Sequence, residues 1–270
     1  MPILAFANQK GGCGKTTPSR NVAKALHERG KRVLMCDLDQ QGSLTAYCGV
    51  NPEALEQTIY NIFASYIDLY ADPLPLDPIV HQIEPGLDLI PANEELAALD
   101  IELINAMQRE EILRMMLTPL LARYDYILFD CPPALSLLVV NALVAADAVI
   151  IVLQADYLAT RGVNRLLKLM QAIRTRLNPR LVVDGILLTM ADMRTRHAKE
   201  IIERTRVNFK DKILVFSTIT KIYAPLKDTP IVGKSILELD GASAAAQSFR
   251  DLAEQIEALH TPAQAAIQGV

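Results

Sequence analysis

A glycine-rich segment near the start of the chain has the residue types and spacing for phosphate chemistry. It reads QKGGCGKTT over residues 9–17, between an apolar run and an amphipathic segment. Glycines let successive backbone N–H groups turn toward one point, and the N-terminus of a following helix adds partial positive charge. Lys15 is then expected at the terminal phosphates of a nucleotide, with the Thr16 hydroxyl on Mg²⁺. A plain turn that only caps a helix would not require both lysines and both threonines.

Three aspartates follow two further apolar runs. Asp37 and Asp39 lie in LMCDLDQQG, residues 34–42, and Asp130 ends YDYILFD, residues 124–130. Ligands of open α/β sheets bind at the carboxyl edge of the strands, so these carboxylates are expected beside the glycine-rich loop. Asp130 is expected to hold Mg²⁺ through water. The alternatives are that Asp39 caps a helix and that Asp130 caps a strand end.

Short apolar runs alternate with longer amphipathic segments along the chain. Most runs are continuous, which is typical of parallel strands buried on both faces. The predicted strands are Ile3–Asn8, Arg32–Asp37, Leu87–Ile90, Tyr126–Asp130, Ala148–Leu153, Val182–Thr189 and Ile213–Phe216. The predicted helices are Lys15–Arg29, Asn93–Ala122 (kinked or divided at Pro119), Leu135–Ala146, Thr160–Leu177, His197–Phe209 and Ala242–Leu259. This order predicts an α/β fold with a single doubly wound, mostly parallel sheet flanked by helices.

Length and composition favour one large domain. The 270 residues carry a formal net charge of -4 and are 51% hydrophobic, enough for a sizeable core without disulfides. The four cysteines form no C-x-x-C pair, which disfavours a zinc site and favours reduced thiols. We recognise no secretory signal pattern and expect a cytoplasmic protein. Residues 1–260 are predicted to form the domain, with 51–85 as a helical excursion and loop and 261–270 as a loose tail.

The glycine-rich loop departs from the ordinary G-x-x-x-x-G-K-[ST] pattern. Gln9 replaces its first glycine, and an early lysine, Lys10, precedes the other glycines. This K-G-G-x-G-K-T-T pattern resembles the deviant Walker A motif of the ParA/MinD family of P-loop NTPases. The resemblance implies an ATPase in which Lys10 crosses a dimer interface to the partner's nucleotide. The implied ATP-binding residues are Lys10, Gly11, Gly12, Cys13, Gly14, Lys15, Thr16, Thr17 and Met190, the last from a strand near the adenine.

The segments around the aspartates are similar to the same family. Residues 34–42 look like V-D-x-D-P-Q-G, with Gln40 in place of proline, and residues 124–133 look like Y-D-[YFH]-I-I-I-D-x-P-P. The resemblance implies that Asp39 orients the attacking water and that Asp37 supports the metal or the loop. The implied catalytic residues are Lys10, Lys15 and Asp39, and the implied Mg²⁺ residues are Thr16, Asp37 and Asp130.

The ParA/Soj-like similarity extends over about residues 1–260, with departures. Pro18 stands where the family usually has threonine, in a first helical turn that tolerates proline. Residues 217–230 read STITKIYAPLKDTP, where ParA/Soj members have I-P-R-N-x-x-[LF]-x-E-A-P-S, a stretch that helps hold adenine and contributes to DNA binding. The last segment carries no cluster of basic residues, so no stable membrane association is expected.

A basic surface is expected in residues 194–234, called the basic segment below. It contains ten Lys/Arg and four acidic residues, a net charge of +6. Such local charge suits contact with the phosphates of non-specific double-stranded DNA. The candidate DNA-binding residues are Arg194, Arg196, Lys199, Arg204, Arg206, Lys221 and Lys227. The helix His197–Phe209 is expected to place Ile201, Ile202 and Val207 inward and Arg204 and Arg206 in solvent. The alternative is that it is an ordinary charged surface helix.

The resemblance implies a DNA-partitioning ATPase, weak alone, that forms an ATP-dependent homodimer on the nucleoid. A ParB-like or other adaptor protein would stimulate hydrolysis. The same ATPase could instead position a carboxysome, a chemoreceptor array or another assembly, because residues 217–230 leave the cargo open. A MinD-like membrane-cycling regulator is a weaker alternative. An iron–sulfur ATPase is weaker still, because Cys131 has no second cysteine in the segment after it.

Overall fold

One eight-stranded sheet runs through the protein in the computed structural model, which describes residues 1–68, 70, 72–155, 159–210 and 212–261. Its strands are β1 (Ile3–Ala7), β2 (Val33–Asp37), β3 (His81–Glu84), β4 (Leu87–Ile90), β5 (Tyr126–Asp130), β6 (Ala148–Gln154), β7 (Val182–Ala191) and β8 (Val215–Lys221). Their spatial order is β3-β4-β2-β5-β1-β6-β7-β8, and every neighbouring pair is parallel except β3 with β4. The predicted mostly parallel sheet is confirmed.

Helices cover both faces of this sheet. They are α1 (Thr16–Glu28), α2 (Ser43–Tyr47), α3 (Ile59–Ile67), α4 (Leu99–Glu102), α5 (Ile112–Leu117), α6 (Leu137–Ala145), α7 (Ala159–Arg176), α8 (Arg196–Phe209), α9 (Thr229–Val232), α10 (Ile236–Leu239) and α11 (Ala244–Leu259). Helices α1, α10 and α11 pack over one hydrophobic cluster, and α3, α5, α6, α7 and α8 over the other. Every residue of β1, β2 and β5 is buried, as continuous apolar runs require. No helix among the described residues combines the length and hydropathy needed to cross a bilayer.

The predicted long helix Asn93–Ala122 is wrong. The chain instead forms short pieces: 3₁₀ turns at Glu94–Ala98, Leu103–Asn105 and Thr118–Arg123, with α4 and α5 between them. Helical geometry is lost at Ala106, which is extended, and at Gln108, whose φ is +50°. The buried Asn141 side chain accepts a hydrogen bond from the Leu113 N–H and donates one to the Arg109 carbonyl. Tertiary contacts thus satisfy backbone groups that a continuous helix would satisfy itself.

Both edges of the sheet also differ from the prediction. Strand β3 was not predicted, because its half-exposed HQIE sequence contains no apolar run. Strand β8 starts two residues later than the predicted Ile213–Phe216 and continues to Lys221, with buried and exposed positions largely alternating. Within α8, Val207 is 71% exposed, whereas it was predicted to point inward. The inward stripe of α8 follows the helical period through Ala198, Ile201, Ile202, Thr205 and Phe209.

Candidate nucleotide-binding site

Three neighbouring strands bring the predicted site residues to one edge of the sheet. Strand β5 lies between β1 and β2, with Asp130 paired in register with Phe6 on one side and Asp37 on the other. The glycine-rich loop leaves β1 at this edge and leads into α1. The strand register therefore brings Asp37 and Asp130 together at the edge where the glycine-rich loop begins, as the sequence predicts.

Side chains from the central strands hold the start and middle of the loop. The buried Asn8 amide donates to the Val152 carbonyl at 2.5 Å, and its Oδ1 accepts from the Lys10 N–H at 3.2 Å. The buried Thr189 hydroxyl of β7 donates to the Cys13 carbonyl at 2.7 Å. Sequence reasoning missed Asn8 and Thr189. A polar residue at the end of a predicted apolar strand marks each position, but it does not identify the hydrogen-bond partner.

Two glycines of the loop have left-handed backbone conformations. Gly12 has φ +69° and Gly14 has φ +77°, values that a side chain would strain. A Cβ added at Gly12 would meet nothing within 4 Å, whereas one at Gly14 would lie 3.6 Å from the Met190 side chain. The space above Gly12 is therefore open, as a cradle for phosphate oxygens must be.

Lys15 stands at the N-terminus of α1 and is only 7% exposed. Thr16 and Thr17 open the helix and are partly exposed, so their N–H groups and hydroxyls lie at its positive end. Pro18 is the third residue of α1, where no intrahelical donor is needed. A buried ammonium beside free helix N–H groups is an arrangement that binds anionic oxygen atoms.

Asp130 ends β5 with both carboxylate oxygens buried and without a hydrogen-bond partner among the described residues. Burial raises the pKa of Asp130, and the charge of Asp37 raises it further. Thr16 and Lys15 lower it in part, although neither completes a hydrogen bond to the carboxylate. An unpartnered buried carboxylate is costly unless a cation or water binds it. The donor set of Asp130 and the Thr16 hydroxyl therefore fits hydrated Mg²⁺.

Asp37 is buried too, but its oxygens are occupied. Its Oδ2 accepts from the Thr45 N–H and hydroxyl, each at 2.8 Å, and its Oδ1 accepts from the Asp39 N–H at 3.1 Å. Burial raises the pKa of Asp37, while these hydrogen bonds act to lower it. These contacts join Asp37 to Thr45 of α2 and to the Asp39 backbone, so its predicted support of the glycine-rich loop stays a prediction. Its role in holding Mg²⁺ stays a prediction.

Asp39 is partly exposed just beyond β2. Its Oδ1 accepts from the Gln41 N–H at 3.1 Å, and Gly42, not Asp39, precedes α2 as its N-cap. Gly42 has φ +58°, and an added Cβ would lie 2.9 Å from Pro52. The turn is therefore fixed, and the Asp39 side chain stays accessible to solvent. Its role in orienting water stays a prediction.

Lys10 is held by its own chain in this structure. Its Nζ donates to the Gln154 Oε1 at 3.0 Å, at the end of β6. Met190, the predicted adenine neighbour, has φ +54° and lies with its side chain over Gly14. Residues 156–158, which follow β6 within the region similar to the family, lie outside the described residues. Gln154 is a site residue that sequence reasoning did not identify.

The predicted DNA-binding residues lie just before α8, on α8, and at or after the end of β8, separate from the loop in sequence. They begin a few residues after β7, the strand whose Thr189 holds the loop. Three of the arginines are paired with carboxylates: Arg194 with Asp192 at 2.9 Å, Arg204 with Glu200 at 2.7 Å, and Arg206 with Glu203 at 3.4 Å. Arg196, Lys199, Lys221 and Lys227 appear in no ion pair among the described residues.

A glycine-rich loop between a central strand and a helix, closed by a buried lysine and a strand-end aspartate, defines the P-loop nucleoside triphosphatases. The solved structure of cobyrinic acid a,c-diamide synthase from Mycobacterium smegmatis, with bound ATP analogue and magnesium, superposes on this chain with a TM-score of 0.82. It is 30% identical and covers 96% of this chain and 95% of its own.

Comparisons with other sequences narrow the class to a family. A family model described as an AAA domain matches residues 1–183. The sporulation initiation inhibitor protein Soj of Bacillus subtilis (strain 168) is 39% identical over 256 residues, covering 95% of this chain and 98% of Soj. The chromosome partitioning protein ParA of Myxococcus xanthus (strain DK1622) is 37% identical over 261 residues, covering 96% of this chain and 89% of that ParA. The chain belongs to the ParA/Soj family of partitioning ATPases.

Proposed function

We propose that this chain binds ATP with Mg²⁺, hydrolyses it slowly, and uses the cycle to segregate or position DNA. The observation that carries the nucleotide part is the unpartnered, buried Asp130 carboxylate next to Lys15, at the base of an open glycine loop. The similarity to Soj and to a ParA over nearly the whole of both chains supports the partitioning role.

The chemistry needs no covalent intermediate. The loop N–H groups, Lys15 and the α1 N-terminus bind the phosphates and neutralise charge that develops as the terminal phosphoryl group leaves. Asp130 and Thr16 would hold Mg²⁺, which supplies further neutralisation when bound. Asp39 would orient a water in line with the breaking bond, since its carboxylate is fixed by the turn and open to solvent.

Dimerisation explains the early lysine. Lys10 is held by Gln154 within its own subunit, so it contributes to a partner's nucleotide only after leaving that contact. An ATP-bridged homodimer would present two copies of the basic segment, which suits binding to non-specific double-stranded DNA. We infer a cytoplasmic, nucleoid-associated protein whose hydrolysis a ParB-like or other adaptor protein stimulates.

A second candidate keeps this ATPase and changes its cargo to a carboxysome, a chemoreceptor array or another assembly. Residues 217–230 depart from the family pattern that contributes to DNA binding, and this departure is the reason to consider a different cargo. Identification of the adaptor by pull-down with the purified ATP-bound protein separates the two cargo classes, since both candidates bind DNA.

Binding to non-specific double-stranded DNA with ATP, with ADP and without nucleotide tests the proposal. The variants are Lys10→Ala, Lys15→Ala and Asp39→Ala. We expect binding that requires ATP, is lost in both lysine variants and persists in Asp39→Ala, which retains ATP without hydrolysing it. An absence of DNA binding in every nucleotide state at low salt would refute the DNA-based function.

A further inference from the structure

A solvent-exposed apolar patch lies on the short helical pieces that follow β4. Ile101, Ile104 and Met107 are 74%, 51% and 68% exposed. Ile101 and Ile104 are three residues apart across the end of α4 and the next 3₁₀ turn, so their side chains are neighbours on one surface. Leu99 and Leu103 of the same pieces are fully buried against the core. The segment therefore has one apolar face that packs inward and a second that faces solvent.

The surroundings of this patch are acidic. Residues 94–108 contain four acidic residues and no lysine, arginine or histidine. The next residue, Arg109, is paired with Glu110 at 2.9 Å, so its charge is balanced locally. Asp100 is exposed and precedes Ile104 by four residues, which places it one helical turn from that side chain. We call Ile101, Ile104, Met107 and the acidic residues of 94–108 the acidic apolar surface.

The surface is held in place, not frayed. The Tyr60 hydroxyl donates to the Glu102 carboxylate at 3.1 Å, and the Arg109 guanidinium donates to the Ile104 carbonyl at 2.6 Å. The Arg109 carbonyl in turn accepts from the buried Asn141 of α6 at 2.6 Å. These contacts anchor both ends of the exposed apolar patch, so a partner would meet a preformed surface.

We propose that the acidic apolar surface is a docking site for a basic, amphipathic segment of another protein. Exposed apolar side chains among polar residues are typical of protein-binding surfaces. The local negative charge repels nucleic-acid phosphates and anionic lipid headgroups, and it attracts a segment that carries lysine or arginine beside its apolar residues. Because the argument uses no nucleotide or DNA contact, it stands apart from the proposed ATPase cycle.

The test uses two fluorescein-labelled synthetic peptides of about 18 residues, with leucines at helical i, i+3, i+4 and i+7 spacing. One has arginine and lysine at the remaining positions, and the other has glutamate. Fluorescence anisotropy is measured with the full chain, without nucleotide or DNA, at low and at high salt. We expect binding of the basic peptide alone, weakened by salt, and at least tenfold weaker binding to the Ile101→Ser, Ile104→Ser double variant.

A matched control substitutes two exposed apolar residues of the basic segment, Val207→Ser and Leu214→Ser, which are 71% and 50% exposed. This variant is expected to bind the basic peptide like the wild type. Asp100→Lys keeps both isoleucines and is expected to weaken binding at low salt, so a folding defect in the double variant does not decide the outcome. Unchanged binding by Asp100→Lys and the double variant, or equal binding of the acidic peptide, would overturn the proposal.

Self-association is measured in the same samples by sedimentation velocity. If the wild type forms a dimer that the Ile101→Ser, Ile104→Ser variant loses, the surface serves a second copy of this chain and the proposal is wrong. If the wild type shows no ATP-dependent DNA binding, the proposed function is contradicted but the peptide result is unaffected.

Discussion

The nucleotide edge of the sheet and the basic segment differ in how their charged groups are held. At the edge, Lys15, Asp37 and Asp130 are buried and lie at the ends of central strands or at the start of α1. In the basic segment, Arg194 and Arg204 are exposed and held only by carboxylates a few residues away. A buried charge must be matched by defined partners, whereas an exposed one tolerates substitution. Substitutions of charged groups should therefore be more damaging at the nucleotide edge than among the exposed arginines of the basic segment.

Buried polar contacts connect α1 to α2 and to α10, which follows the basic segment. Arg20, fully buried, pairs with Glu238 of α10 at 2.8 Å. The neighbouring Asn21 donates to the Tyr47 hydroxyl and accepts from the Ile236 N–H. Helix α1, which begins at the glycine-rich loop, is therefore connected to α2 on one side and to α10 on the other.

The largest expected effect separates the two lysines of the loop. Lys15→Ala should weaken ATP binding to the monomer by about 4 kcal/mol, on the order of 1,000-fold, because a buried charge contact to phosphate is removed. Lys10→Ala should change the same affinity by less than about threefold, since Gln154 holds Lys10 in its own subunit. Titration with a fluorescent ATP analogue at low protein concentration measures both. Equal losses in the two variants would contradict the assignment of Lys10 to a partner's site.

Glu238→Gln should destabilise the fold by about 3 kcal/mol, because it leaves the buried Arg20 charge without its counter-ion. Nε and Nη1 of Arg20 have no hydrogen-bond partner among the described residues, so no second group replaces Glu238. Urea unfolding measures the loss. Glu257→Gln, which breaks the more exposed pairs with Arg29 and Lys31, is the matched control and should cost under about 1 kcal/mol.

The pH dependence of the same variant sharpens this prediction. Burial acts to raise the pKa of Glu238, but the Ser235 hydroxyl and N–H and the Arg20 charge outweigh it and lower the pKa. A carboxylate with a lowered folded-state pKa stabilises the protein fully above its unfolded pKa, and this contribution is lost as the pH falls through the folded value. The stability difference between wild type and Glu238→Gln should therefore narrow below about pH 4. A constant difference down to pH 3 would argue against the ion pair.

The sequence was most informative where the chain is regular and buried. The mostly parallel sheet, the loop and the position of Asp130 follow from continuous apolar runs and a motif whose glycines have one geometric purpose. The region 93–122 was misread, because its leucines and alanines favour helix while Asn141, 19 residues beyond it, decides where the chain turns. Partners such as Thr189 for the Cys13 carbonyl depend on distant pairing that no local pattern encodes.

Tyr47→Phe should cost about 1 kcal/mol of stability, because the Tyr47 hydroxyl bridges Asn21 and Thr229 within a buried site. Without the Tyr47 hydroxyl, the Thr229 hydroxyl and one N–H of the Asn21 side chain lose the acceptor that they share. Thermal or urea unfolding measures the loss. Tyr60→Phe is the matched control, since the Tyr60 hydroxyl contacts Glu102 nearer the surface and should contribute under about 0.5 kcal/mol. Equal losses would mean that the bridge adds nothing beyond one ordinary hydrogen bond.

The smallest expected effect distinguishes residues within the basic segment. Lys199→Gln should weaken DNA binding about threefold, roughly 0.6 kcal/mol, and lower the slope of log affinity against log salt by about 0.9, as one lost phosphate contact does. Arg204→Gln should change both less, because Arg204 must first leave Glu200, to which it is bound at 2.7 Å. Anisotropy of labelled duplex DNA over a salt series measures the slopes.

Arg114→Gln is the control for this pair, because Arg114 is an exposed arginine paired with Glu111, outside the basic segment. It should leave the salt slope unchanged. If Arg204→Gln lowers the slope as much as Lys199→Gln, the ion pairs of α8 open freely on DNA and do not restrict which side chains make contact. If all three variants match the wild type, the phosphate contacts lie elsewhere, and the basic segment is an ordinary charged surface. The nucleotide edge would then have to be compared with a different surface as the candidate DNA-binding region.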